Sequence, residues 1–169
     1  VAAGDDLAAT QAEVDAGLTH VRQFLAGQGF AANEVELGQL RVTDRYAQEY
    51  GSGDVRARYS VAQTVLVRTP NVDRVLAASR ALDALVRQGV TLQDYNGPSF
   101  IFTKLNDVRP KMIAEATASA RSGARQFAED SGSRLGGIAS ATQGSFEILG
   151  RDDVGDEPTQ VFKRVRVVT

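Results

Sequence analysis

The stretch "MIAEATASARSGARQFAEDSGSRLGGI", Met112 to Ile138, decides the fold. It reads as a long helix of small residues that stops at Gly132 and gives way to a strand. The helix is expected from about Asn106 to Ser131, with Asn106 or Asp107 as cap. Pro110 falls in its first turn, where no intrahelical N–H bond is lost. Its inward stripe is expected to be Ile113, Ala116, Ala120, Ala124 and Phe127. Alanines at four-residue steps keep little side chain between backbones, so such a helix can lie flat on a sheet with Ile113 and Phe127 plugging its two ends.

Working outward, two more helices are expected. Leu7, Gln11, Val14, Leu18, Val21 and Leu25 recur at three- and four-residue steps between Asp5 and Ala26, the spacing of one helix face. Asp5 and Asp6 suit the N-cap, and Gly27 and Gly29 suit the other end. Val72, Val75, Leu76, Ser79, Leu82 and Val86 mark a helix over 71–88, with Thr69-Pro70-Asn71 as its start and Gly89 as its stop.

Strand signals fill the gaps. Residues 34–46 alternate, with a parity slip near Gly38 and Gln39 that suits a bulge. In 56–69, Tyr59, Val61, Val65 and Val67 share one face. Shorter strands are expected over 99–103 (SFIFT), 138–149 and 160–168. Polar loops at 47–55 and 150–158 suit hairpins. The order α-β-β-α-β-α-β-β predicts an α+β fold: one domain over 1–169, a mainly antiparallel sheet with about three helices on one face. Because the chain opens on Val1 and a helix, a strand before Val1 is expected to be missing, leaving a sheet edge open.

The totals bound the function. The chain has 169 residues, 19 basic against 21 acidic, and no cysteine. Absence of cysteine excludes a disulfide scaffold, a thiol nucleophile and a Cys-type zinc site. No basic stripe of the kind a nucleic-acid partner requires is present. No apolar run approaches the roughly 20 residues of a membrane span.

Candidate sites are few. His20 is the sole histidine and lies off the apolar face of its helix, without a nucleophile or carboxylate in view. Asp152, Asp153, Asp156 and Glu157 cluster in the last hairpin loop, but their spacing is not that of a calcium loop. Gly132, Gly136, Gly137 and Gly144 follow a helix and precede a strand, the reverse of a phosphate cradle. Ser99, Ser131 and Ser145 lack the Gly-x-Ser-x-Gly elbow. No catalytic residue, metal or cofactor is expected. Arg41, Arg45, Arg56 and Arg58 on adjacent strands, with Tyr46 and Tyr59, form the candidate interface. Asp44, Glu49 and Asp54 are near enough to neutralise it. Phe100, Phe102 and Phe127 with the alanine stripe could instead line an apolar cavity between helix and sheet.

Several segments together resemble SIMPL-domain proteins: "RVTDRYAQEYG", "RYSVAQTVLVRTPNVDRVLAA", "LVRQGVTLQDYNGPSFIFTKLNDVRPKMIAEATASARSGARQFAEDSGSRLGGI" and "VFKRVRVVT". The block from Phe100 to Ile138 is the most specific: a strand ending Phe-Thr, a Leu-Asn helix start, Ala120-Arg121, then Ser131-Gly132 and Leu135-Gly136. The resemblance implies an α+β fold and an exported protein, periplasmic, secreted or outer-membrane-associated, whose export signal is not in this chain. It implies a homo-oligomer or an envelope protein partner, since a channel-like ring has been proposed for a relative. It also implies roles in oxidative-stress tolerance and envelope maintenance, and it transfers no catalytic residues. The expected function is therefore non-enzymatic self-assembly or partner binding, with carriage of a small apolar ligand as the alternative.

Overall fold

The computed structural model describes residues 1–47, 57–142, 144–152 and 155–168. They form two compact units, Val1–Pro98 and Ser99–Thr169, and the fold is α+β.

In the first unit, β1 (Ala2–Gly4), β3 (Tyr59–Val67) and β2 (Val35–Asp44) form an antiparallel sheet in that spatial order. The chain thus opens on a strand and not, as expected, on a helix. Residues Ala2 to Gly4 sit opposite Val61 to Tyr59, and the Val1 backbone nitrogen donates to the Thr91 carbonyl at 3.3 Å. A strand this short leaves no periodicity to read before Leu7.

Helix α1 (Leu7–Gly27) starts where the Asp6 carboxylate accepts from the Ala9 N–H at 2.7 Å, and it buries Thr10, Val14 and Leu25. Its stop bonds Phe30 N–H back to the Leu25 carbonyl at 3.0 Å. That turns Phe30 into a core of Leu25, Phe30 and Ala78, against which Val21, Phe24, Val35, Val65, Val67 and Val75 pack. Val35 of β2, Val65 and Val67 of β3 and the apolar faces of two helices are therefore packed on one another.

The single helix expected over 71–88 is two, α2 (Val72–Arg80) and α3 (Asp83–Arg87). The Asn71 side chain caps the first by accepting from Arg74 N–H at 3.0 Å. The break comes where Ala81 N–H bonds the Ala78 carbonyl three residues back. The turn rotates the stripe, so Leu85 is buried while Val86, expected inside, is exposed.

β2 and β3 carry the anticipated bulge. Leu37 faces Val65 and Leu40 faces Gln63, so Gly38 and Gln39 together stand opposite Thr64. Val35, Leu37, Leu40 and Val42 consequently share the face of Val61, Val65 and Val67, although their parity changes midway.

The second unit holds α4 (Leu105–Asp130) and an antiparallel ribbon of β4 (Ser145–Gly150) and β5 (Lys163–Val168). Helix α4 ends as expected: Gly132 adopts φ +65, and Ser133 N–H returns to the Ala128 carbonyl at 2.8 Å. Its stripe differs from expectation. Met112, Ala116 and Ala124 are half-buried and Ala128 is buried, whereas Ala120 and Ile113 are exposed and Phe127 is 76% exposed. The less exposed line therefore runs through positions adjacent to Ile113 and Phe127, and the two large side chains plug nothing. Alanine offers little apolar area with which to hold a helix down.

Two expected strands are shorter or absent. Residues 99–103 are irregular, held by Phe100 N–H to the Pro158 carbonyl at 2.7 Å. β4 begins only at Ser145, opposite Val168, and 138–142 lie in no strand.

Val61 is fully buried at the centre of the first sheet. Val61→Ala is expected to lower the unfolding free energy by about 2 kcal/mol, measured by denaturant titration. Leu66→Ala, on the opposite face of the same strand, should change it by about 0.5 kcal/mol or less.

Candidate interface on the three-stranded sheet

The end of the β2–β3 ladder gathers three of the six expected interface residues, Tyr46, Arg58 and Tyr59. Asp44 closes β2 opposite Tyr59, and the chain turns through a short 3-10 segment, Arg45–Ala47. Arg45 N–H bonds the Arg58 carbonyl at 2.8 Å, which brings the Arg58 side chain back over the turn. Its guanidinium meets Asp44 through Nη2–Oδ2 at 2.9 Å and Nε at 3.2 Å from both carboxylate oxygens. The same cation lies 4.8 Å from the centre of the Tyr59 ring and 5.8 Å from that of Tyr46. Tyr46 N–H donates to Asp44 Oδ1 at 3.0 Å, and Arg58 N–H donates to Asp5 Oδ1 at 3.0 Å.

The electrostatics follow from this pairing. The Arg58 guanidinium, aided by the Tyr46 and Ala47 N–H groups, holds the Asp44 carboxyl below the usual aspartate range. Asp44 in turn raises Arg58. The cation is thus neutralised within the chain and stacked on two aromatics. This cluster is a joint with an exposed tyrosine on it.

The remaining interface residues scatter. Arg41 stands opposite Ala62, on the face of β2 away from Asp44 and Tyr59, and makes no ion pair among the described residues. Arg45 is exposed in the turn. Arg56, with Glu49 and Asp54, lies outside the described residues.

The other candidate sites lie apart from this cluster. His20 is half-buried on α1. Ser131 Oγ donates to the Ala128 carbonyl at 3.2 Å at the end of α4. In the acidic loop, Asp152 pairs with Arg151 at 2.8 Å and Glu157 with Lys163 at 2.7 Å, while Asp153 lies outside the described residues. Among the described residues no group of three or more His, Cys, Asp or Glu side chains could hold a metal. Phe100 and Phe102 line a shallow depression of about 260 Å3 with Ile101, Ile148 and Pro158. Phe127 takes no part in it.

The sequence model of the SIMPL family, described as a protein of unknown function (DUF541), matches residues 1–164. The chain belongs to the SIMPL family. No curated protein matches it.

One feature of this SIMPL chain was not anticipated. β2 is an edge strand among the described residues, and Leu37, Leu40 and Val42 are 49%, 50% and 49% exposed along it. Alternation in 34–46 showed these residues to be strand-forming. Only the pairing with β3 shows that they share one face and stand at an edge. No helix of the described residues is long and apolar enough to cross a membrane.

Because Asp44 is depressed in the folded state, its contribution to stability is present above the unfolded aspartate value of about 3.9. That contribution is lost as pH falls through the lower folded value. In a carboxyl 13C titration, Asp44 of Arg58→Ala is expected to titrate at higher pH than in the parent. Stability of the parent should fall more steeply than that of the variant as acid is added below pH about 4.

Proposed function

We propose that this SIMPL chain is an exported, non-enzymatic domain that works in the cell envelope by self-assembly or by binding a protein partner, in a setting of stress tolerance. The observation that carries the reading is the half-exposed apolar row Leu37, Leu40 and Val42 on an edge strand. An exposed strand edge with apolar side chains is a template for another chain. The exposed Tyr46, braced by Arg58, adds an aromatic contact of the type enriched at interfaces. Export and the envelope setting rest on the family.

The depression lined by Phe100, Ile101, Phe102, Ile148 and Pro158 favours a second reading, a carrier of a small apolar ligand. At about 260 Å3 it is smaller than the common run of ligand pockets, roughly 300–1,000 Å3. Retention of a lipid or metabolite in a native mass spectrum of purified protein, lost in Phe102→Ala, would raise this reading above assembly.

For the first reading, light scattering across a wide concentration range is expected to show a discrete oligomer, or pull-down from envelope extract a stoichiometric protein partner. Strictly monomeric protein that captures nothing would sink it.

A further inference from the structure

We propose that the partner for the β2 edge is a second copy of this chain, paired antiparallel through β2 about the midpoint between Gly38 and Gln39. This rests on the assembly reading and specifies the surface and the register.

The phase of the backbone groups permits the pairing. Arg68 N–H bonds the Glu34 carbonyl at 2.9 Å, and Arg45 N–H bonds the Arg58 carbonyl at 2.8 Å. In an antiparallel ladder, bonded and non-bonded pairs alternate. Counting inward from those two bonds along the recorded register, Glu36 and Arg41 spend their backbone groups on β3. Val35, Leu37, Leu40 and Val42 turn theirs outward.

The side chains fit the same register. Pairing about that midpoint sets Leu37 opposite Leu40 of the second copy and Val35 opposite Val42. All four have outward backbone groups, and all four lie on the face that bears the core. Glu36 then faces Arg41 of the second copy, on the opposite face, and the two-fold repeats the contact. Both are exposed. Glu36 is shared with Arg68 at 2.6 Å, and Arg41 makes no ion pair among the described residues. Opposite charges across a strand pair attract, and like charges in the same place repel.

The bulge makes this self-complementarity available. In an unbroken strand the core face holds residues of one parity, so a pairing centred between two residues would set core-facing side chains against outward-facing ones. With Gly38 and Gln39 both opposite Thr64, the core face is odd before the bulge and even after it, and a centre between those two residues matches faces. The pairing joins two three-stranded sheets into one continuous sheet with β2 and its copy at the middle.

The test uses charge reversal. E36R and R41E, each alone, should weaken self-association on the order of 10-fold or more, read by sedimentation equilibrium with folding checked by circular dichroism. An equimolar mixture of the two variants should recover association, because every facing pair is again opposite in charge. The double variant E36R/R41E should recover it alone. A variant that merely misfolds would be rescued by neither. The chain has no cysteine, so E36C mixed with R41C should form a disulfide heterodimer across a non-bonded pair with Cα atoms about 4.5 Å apart. E36C alone should not. If both single variants associate as the parent does and no cross-link forms, the register is overturned while assembly through another surface stands. If the parent is monomeric at every concentration, the pairing falls; capture of a different protein would then keep partner binding alone.

Discussion

The two-for-one step at Gly38 and Gln39 is the constraint on which the first unit depends. Strand side chains alternate, so a ten-residue strand with apolar residues at 35, 37, 40 and 42 cannot place them on one face unless the alternation is broken once. The bulge supplies that break. It does so where the partner strand crowds close: a Cβ on Gly38 would lie 3.2 Å from the Thr64 side chain. The Gly38 carbonyl does not go unsatisfied, since the Gln63 amide donates to it at 2.9 Å. Val61, Val65 and Val67 then meet apolar neighbours on β2 along their whole length.

The far end of the same ladder is closed by Glu34. Its carboxylate accepts from the Ala31 N–H at 2.9 Å and pairs with Arg74 at 3.0 Å. The Thr69 hydroxyl first, then these partners, hold it below the ordinary glutamate range. Three segments meet there: the loop after α1, the end of β3 and the first turn of α2. Arg74 also lies 5.5 Å from the centre of the Phe30 ring. The polar clamp therefore sits directly over the aromatic that seals the core. Asp44 with Arg58 does the equivalent work at the opposite end, where the cation stacks on Tyr59 and Tyr46. Each end of the β2–β3 pair thus uses an acid, Glu34 just before β2 or Asp44 at its last position, and an arginine that also covers an aromatic.

Local signals were legible in the sequence wherever one element satisfies itself. The α1 face from Val14 to Leu25, the Asn71 cap, the Gly132 stop and the slip at Gly38 are matters of residues a few positions apart and are present in the structure; at the start of α1 Leu7, expected inside, is exposed and Thr10 is buried. What could not be read depends on distant partners. β1 needs Val61 opposite it, not a pattern of its own, and the SFIFT segment is apolar and aromatic yet among the described residues finds one backbone bond, to Pro158. The interface was legible in part for the same reason. Composition picked out Arg58, Tyr46 and Tyr59, but the neutralising contact with Asp44 and the removal of Arg41 to the other face are consequences of register. Register is likewise what turns Leu37, Leu40 and Val42 from ordinary strand residues into an exposed edge.

The ribbon of the second unit shows how a small sheet is held where, among the described residues, no third strand supports it. Two strands alone are marginal in water, so the turn between them must contribute. Gln160 does this by reciprocal bonds with the Asp152 backbone, accepting its N–H at 3.0 Å and donating to its carbonyl at 2.9 Å. The amide then lies across Gly150 so closely that a Cβ there would be 2.6 Å from it; a side chain at 150 would have to displace the Gln160 amide. Lys163 is buried with its ammonium on both the Glu157 carboxylate and the Glu157 carbonyl. Two of the four loop acids are thereby committed to bases beside them, and Thr159 occupies the Asp156 carbonyl. Glu157 is accounted for by the closure of the ribbon, because a lysine side chain buried so near the turn requires a carboxylate within reach.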